Sequence, residues 1–297
     1  MAHENPPTID PVAAARWQHV APARSPWLHE EVGRRMEDRL QWIRLEPKAW
    51  ADWAPVRGGL AAHELIERRY PRAQCFVTAG SPGARDTTTA LAARPWWRRL
   101  TAPALREGPP PDGAVQMLWA NMALHMSAQP QALIAQWHRA LAPDGFLMFS
   151  CLGPDTVREL RALYQALGWP PPAHEFTDMH DWGDMLVQAG FAEPVMDMER
   201  ITLTWQTPQR LLEELGELGA NLHPARFAAL RGRGWRDRLH AELTRGLGQE
   251  DGRLALTFEV IYGHAVKPAP VVRVSASSSV SLDDMRTMLQ GDRRPRE

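Results

Sequence analysis

In the segment LHEEVGRRMEDRLQWI, residues 28 to 43, the apolar positions Leu28, Val32, Met36, Leu40 and Ile43 recur at helical spacing with charges between them. That pattern predicts an amphipathic helix ahead of the first strand. A short run at Trp50 to Trp53 is followed by the Pro/Gly turn APVRGG, a helix-like stretch LAAHELIERRY and a second apolar run, AQCFVTA, at 73 to 79. The unit reads strand, turn, helix, strand. Residues 80 to 113, rich in Gly, Pro, Thr and Arg and holding the WWRR cluster at 96 to 99, lack a sustained period and predict a long excursion with one short helix at most. Order returns with an apolar run at Val115 to Ala120, a helix ending near Leu141, the turn APDG, and the strand FLMFSCL at 146 to 152. Alternating strands and helices imply a mostly parallel, doubly wound α/β sheet with right-handed crossovers.

Further on, helices are predicted at 154 to 167 and 180 to 189, the second stopped by Gly190, then strands within 193 to 205. Gly153, Pro154, Asp155 and Thr156 carry the start signals of the first of these helices. A helical stretch at about 207 to 247 precedes a last strand, LALTFEVIYGHA, at 254 to 265. The domain reading is therefore a lead-in at 1–46, an α/β domain at 47–268 with a helical insertion at about 207–247, and a disordered tail at 269–297 whose SASSSVS and GDRRPRE offer little to pack.

With 297 residues, 44% hydrophobic and 23% charged, the chain can bury one sizeable core. No stretch approaches the roughly 18 apolar residues that span a bilayer, and MAHENPPTIDP has neither a basic nor an apolar leader region, so no membrane role and a cytoplasmic location are expected. A net charge of -1 gives no global field toward nucleic acid. Cys75 and Cys151 each lie in a strand-like run with no second Cys or His at ligand spacing; they read as buried thiols, with no metal site. The 13 tryptophans read chiefly as packing.

Three blocks carry a resemblance. Asn121 to Leu124 followed by LAPDGFLMFSCLGPDTVREL (141 to 160), DMHDWGDMLVQAGFAEPVMDMERITLTW (178 to 205) and EVIYGHAVKP (259 to 268) together resemble the malonyl-acyl carrier protein O-methyltransferases of biotin synthesis, within the class I S-adenosylmethionine-dependent methyltransferases. The resemblance is specific from about 114 to 268 and implies the Rossmann-like class I methyltransferase fold, mostly parallel with an antiparallel edge strand and a helical insertion. It also implies the chemistry: a methyl group passes from S-adenosylmethionine to the free carboxylate of a malonyl thioester on acyl carrier protein. A carboxylate with a pKa near 4 is already ionised at neutral pH, so no general base is required and no catalytic residue is assigned.

On the donor side the family pattern D-x-G-x-G-x-G aligns with Asp52-Trp53-Ala54-Pro55-Val56-Arg57-Gly58-Gly59. Asp52, Gly58 and Gly59 are the cofactor-binding candidates, with Asn121 after the fourth strand. Ala54 and Val56 stand where glycines are usual, and Pro55 fixes its own φ, so this turn cannot follow the usual path without strain. Ala79 occupies the place of the acid that holds the ribose hydroxyls, and Gln116 that of an acid before the fourth strand. Losing a charge-assisted hydrogen bond costs about 1.5 to 3 kcal/mol, so two such losses predict donor affinity weaker by roughly a hundredfold. The family's Tyr ahead of the lead-in helix has no counterpart, which leaves Trp17 or Trp27 to close the pocket through a cation-π contact or to act as packing residues.

On the acceptor side the resemblance points to His125, His180 and Asp181 as substrate-binding candidates. Each has a plainer reading: Asn121 as a turn former, His125 as a loop cap, and the DMHD group as a helix N-cap centred on Asp178. Arg226, Arg231, Arg233, Arg236 and Arg238 could receive an acidic acyl carrier protein, or form a solvated helical face. Two alternatives to the biotin-type transferase follow from the same residues: a non-catalytic binding protein that lost the donor, and a methyltransferase for another small acid.

Overall fold

The computed structural model describes residues 9–20, 22, 24–79, 103, 105–227 and 229–270. Residues 80–102 and 104 of the predicted excursion, the WWRR cluster among them, and nearly all of the predicted tail lie outside the described residues; the short strand β3, Arg106–Glu107, falls in the part of that excursion that is described.

Within them, α1 (Pro11–Gln18) and α2 (Trp27–Arg39) precede β1 (Ala49–Trp53), α3 (Pro55–Gly58), α4 (Leu60–Arg69) and β2 (Gln74–Thr78). Then follow β3 (Arg106–Glu107), β4 (Val115–Ala120), α5 (Pro130–Ala140) and β5 (Leu141–Leu152). The remainder is α6 (Arg158–Ala166), α7 (Met179–Gln188), β6 (Ala192–Trp205), α8 (Pro208–Leu218), α9 (Arg233–Leu247) and β7 (Leu254–Val266). Among the described residues the strands form one sheet in the order β3-β2-β1-β4-β5-β7-β6. β1 to β5 are mutually parallel, whereas β7 runs antiparallel to both β5 and β6. This is the class I methyltransferase architecture, with the reversed strand one place in from the edge.

Successive residues of a strand point to opposite faces, and the core divides accordingly. Met117 and Trp119 pack on one side with Trp50, Phe146 and Met148, whereas Leu118 and Ala120 pack on the other with Ala51, Leu147 and Phe149. The lead-in helix covers the first face: Leu28, Val32 and Met36 are fully buried, and the predicted stripe continues through Leu40 into half-buried Ile43. α2 crosses α4 at Gly33, where an added Cβ would lie 2.5 Å from the Ala62 Cβ, so only glycine permits this approach.

Several boundaries differ from expectation. β5 begins at Leu141 and takes in the APDG turn, and the stretch predicted helical at about 207–247 is two helices, α8 and α9, with none of the described residues between Leu218 and Arg233 helical. Residues 154 to 157 are turns, and α6 begins at Arg158. The reason is local: Val157 is left-handed at φ 49°, its N–H donates to Thr257 O at 2.7 Å, and the Asp155 N–H is taken by the Glu259 carboxylate at 2.8 Å. β7 therefore captures amides that would have opened the helix.

Candidate active site

The parallel strands deliver their carboxyl ends to one edge of the sheet, where ligands bind in open α/β folds. Two cavities open there. One of about 310 Å³ lies beyond β1 and β4 and is lined by Trp17, His29, Trp53, Arg57 and Asn121, among others. The second, of about 240 Å³, lies beyond β5 and β7 against Leu152, Tyr164, His174, Phe176 and Phe258, with His125 in its wall. Met126 and Leu218 line both, so the cavities are neighbours across a thin apolar partition.

The turn after β1 explains how the chain manages without the usual glycines. Ala54 takes the left-handed conformation at φ 61°, and Pro55 to Gly58 then form a helical turn with proline in its first positions. Val56 is thus helical, so the β-branched residue is spared the positive φ it tolerates poorly; Ala54 carries that conformation instead, at a cost of about 1 kcal/mol. Close approach is retained where glycine remains: a Cβ on Gly58 would sit 2.9 Å from the Asn121 carbonyl oxygen, and one on Gly59, itself at φ 127°, would sit 2.7 Å from Glu30 Oε2.

The amino terminus of α4 is already engaged. Leu60 N–H donates to Ser25 Oγ at 3.0 Å, and Ala61 and Ala62 N–H donate to the two Glu30 carboxylate oxygens at 3.1 and 3.0 Å. A helix amino terminus favours an anion, and here the protein's own carboxylate supplies it.

Asp52 lines neither cavity. Its carboxylate is buried 2.7 Å from His63 Nδ1, while His63 Nε2 lies 3.3 Å from Glu67 Oε1. Burial raises the Asp52 pKa and the His63 hydrogen bond opposes that rise. Asn121 borders the first cavity, yet its side chain is committed: Nδ2 donates to His29 O at 2.7 Å and to Gly58 O, and Oδ1 accepts from Ser150 Oγ at 2.5 Å. It ties α2, α3 and β5 together behind the cavity wall. Gln116 sits near the opposite edge of the sheet, where Oε1 accepts from the Lys48 and Ala49 amides at 3.0 and 2.9 Å. It performs a strand-joining task and is remote from either cavity.

His125 is buried in the wall of the second cavity, with Nδ1 lacking a hydrogen-bond partner. Beside it, His174 donates from Nε2 to the His125 carbonyl at 3.1 Å. Burial holds both imidazoles neutral: the His125 pKa lies well below the ordinary value and that of His174 falls to about 4. His180 and Asp181 are elsewhere, in the exposed first turn of α7. Asp178 is its N-cap, accepting from His180 N at 2.7 Å and lying 2.8 Å from His180 Nδ1. The structure brings neither to a cavity.

The first cavity contains residues that pattern reading passed over. His29 stands on the buried side of an amphipathic helix, one place after Leu28, and a buried polar side chain on such a face was the available signal. Its Nδ1 donates to Arg57 O at 2.7 Å and its Nε2 has no partner. Arg57 places Nη2 2.6 Å from Trp17 O and also donates to Val20 O, with its guanidinium 4.2 Å from the Trp17 ring centroid. Trp17 is therefore at this cavity with Arg57 against its face, whereas Trp27 is 44% exposed, with its indole N–H directed to Glu214.

Of the five arginines, Arg226 is paired with Asp10 at 2.6 Å. Arg231 lies 4.1 Å from the Phe227 ring centroid and 3.8 Å from that of Trp235, and Arg238 lies 5.5 Å from that of Trp169; Arg233 and Arg236 are exposed on α9. Trp169 in turn contacts Tyr164 in the wall of the second cavity, so this surface borders that cavity.

No group of three metal-ligating side chains occurs among the described residues. Cys75 and Cys151 are buried, unbridged thiols whose pKa values burial raises. No helix among the described residues is long and apolar enough to cross a membrane.

No family model matches the sequence. Individual relatives do. A malonyl-[acyl-carrier protein] O-methyltransferase of Gallionella capsiferriformans (strain ES-2) is 38% identical over 257 residues, covering 82% of this chain and 86% of the relative. Another, of Laribacter hongkongensis (strain HLHK9), is also 38% identical, over 276 residues and 90% of both chains. In structure, the chain is similar to the YcgJ protein from Bacillus, with a TM-score of 0.53 at 11% identity over 81% of this chain and 99% of that one, which speaks for the fold alone. Identity at this level across most of the length of both sequences makes the chain a member of the malonyl-[acyl-carrier protein] O-methyltransferase family.

Proposed function

We propose that this chain methylates the free carboxylate of a malonyl thioester carried by acyl carrier protein, using S-adenosylmethionine as methyl donor. The observation that carries this reading is the pair of adjoining cavities at the carboxyl edge of the sheet, one with a cationic side chain and one nearly apolar, sharing Met126 and Leu218. A two-substrate transfer needs two reactants held end to end with water excluded between them.

The residues present suit the amino-acid end of such a donor. Arg57 supplies a cation and His29 Nε2 an unpartnered buried acceptor at the first cavity. The ribose end would fall toward Ala79, beside the segment outside the described residues. When bound, S-adenosylmethionine supplies an electrophilic sulfonium methyl. The protein's part is to position. Neutral His125 keeps one N–H in either tautomer, so it can orient a carboxylate without the strong charge pairing that would blunt its nucleophilicity. The apolar remainder of the second cavity excludes water from the acyl chain.

Arg231, Arg233, Arg236 and Arg238 suit an acidic carrier, because none is ion-paired among the described residues and two of them, Arg231 and Arg238, lie over Trp235 and Trp169 beside the second cavity. His180 and Asp181 are better read as a helix start. The non-catalytic alternative finds no support in relatives that are themselves named as transferases.

The test has two steps. Calorimetry should detect binding of S-adenosylhomocysteine, and labelled methyl should then pass to malonyl-carrier protein in preference to other small acids. Absence of binding at millimolar ligand would overturn the donor assignment, and equal transfer to other acids would overturn the acceptor assignment.

A further inference from the structure

The residues that hold ligands in glycine-rich turns are backbone amides, and in this chain those amides are spoken for: Ser25 and Glu30 take the first three of α4. The first cavity nevertheless has two side chains in its lining that keep uncommitted polar groups, Arg57 and His29.

Arg57 is the first. Its Nη2 is committed to the Trp17 and Val20 carbonyls, while Nε and Nη1 make no hydrogen bond among the described residues. It forms no ion pair with a described carboxylate, and burial lowers its pKa to about 10, so it remains a cation at neutral pH without a counter-charge. A half-buried cation whose partners among the described residues are neutral carbonyls and an indole face is incompletely compensated, and an anion in the cavity completes it.

His29 is the second. Because a carbonyl can only accept, the contact with Arg57 O places the hydrogen on Nδ1, and Nε2 is left as a bare lone pair. The side chain is 4% exposed and its pKa is about 4, lowered by burial, so at neutral pH the ring is a neutral acceptor. A buried acceptor without a donor is costly, and an ammonium or amide N–H would satisfy it. Asn121 fixes the frame by holding His29 O and Gly58 O on one amide nitrogen.

We propose that Arg57 and His29 form a clamp for a zwitterionic α-amino-acid group, with Nε and Nη1 of Arg57 on the carboxylate and Nε2 of His29 accepting from the ammonium. The clamp rests on the donor reading above and deepens it. The methionyl end of S-adenosylmethionine is held by two side chains that the glycine-rich pattern does not specify, in place of the amides that Ser25 and Glu30 occupy.

The experiment is calorimetric and independent of turnover. Wild-type protein is titrated with S-adenosylhomocysteine, with decarboxylated S-adenosylmethionine and with methylthioadenosine, which lacks the amino acid altogether. The clamp predicts that the intact amino acid binds tighter than either truncated ligand by roughly ten- to hundredfold. Arg57→Gln and His29→Phe should each remove most of that difference while leaving methylthioadenosine affinity unchanged, and Arg57→Lys should restore part of it. If either variant fails to fold, the wild-type ligand series alone decides. S-adenosylhomocysteine that binds no better than methylthioadenosine, or equally well to folded Arg57→Gln, overturns the clamp while leaving the donor reading intact. No binding of any of the three overturns both.

Discussion

Replacing Asn121 by alanine removes three buried hydrogen bonds at once and separates two readings of the residue, as a ligand contact and as a staple. Each neutral hydrogen bond contributes about 1 kcal/mol net, and stranding a buried partner costs about 1 to 3 kcal/mol. The partners here are the His29 and Gly58 carbonyls and the Ser150 hydroxyl. Because Asn121 borders a cavity that water can enter, the lower half of that range applies, and the sum is roughly 3 kcal/mol. At ~2 to 4 °C per kcal/mol for a domain of this size class, the melting temperature should fall by roughly 6 to 12 °C. Urea unfolding followed by tryptophan fluorescence gives the free energy, with an unchanged m-value showing that both end states are conserved. Asn121→Asp should be worse at neutral pH, since it turns an oxygen toward two carbonyls. The staple reading fails if Asn121→Ala stays within about 1 kcal/mol of wild type yet loses affinity for S-adenosylhomocysteine.

Other outcomes follow from the same structure. Gly33→Ala drives a methyl into Ala62 at the α2–α4 crossing and should destabilise by about 1 to 3 kcal/mol, measured by chemical denaturation; a neutral result would mean the helices can move apart. His29 and His174 have folded pKa values of about 4 against an ordinary 6.5, so between those limits the unfolded chain binds protons that the folded chain does not. Stability should therefore be full above about pH 6.5 and fall as pH drops toward 4, by roughly 2 kcal/mol per histidine at about pH 5. A urea midpoint independent of pH across that window would contradict the burial of these rings, and His174→Phe should flatten the slope. Reversing charge at Arg231 and Arg236 should raise KM for a carrier-bound substrate several-fold and weaken its salt dependence with kcat unchanged; an unaltered KM would place the carrier elsewhere.

The fold was legible because its signals are local and repeated. Leu28, Val32 and Met36 could only be a buried helical stripe, and Val115 to Ala120 only a strand covered on both faces. The site was less so, because a side chain's role depends on partners distant in sequence. Asp52 matched a family position, but its carboxylate meets His63 from the following helix, a pairing 11 residues away that nothing in the spacing announces. Asn121 was found at the right edge, while its three partners come from α2, α3 and β5. Val56 is incompatible with a turn that keeps the glycine path, but a single left-handed residue at Ala54 reroutes this one into helix. His29 and Arg57 are hidden for the opposite reason: Arg57 fills a position the glycine pattern leaves free, and His29 is marked only by burial of an unpartnered Nε2.

The pairing of Asp10 with Arg226 spans 216 positions, and Asp10 N–H also donates to Leu222 O. Around it Ile9, Ala13 and Ala14 pack on Leu222 in a small core separate from the two main ones. During synthesis, then, α1 is made long before the segment it packs on. It must wait until residue 226 has emerged, by which time most of the sheet has been made. Trp17, on that same helix, arrives at the cavity wall with it, so the donor side cannot be enclosed until residues 222 to 226 have been made, while β7, which joins β6 to the sheet, is still to come.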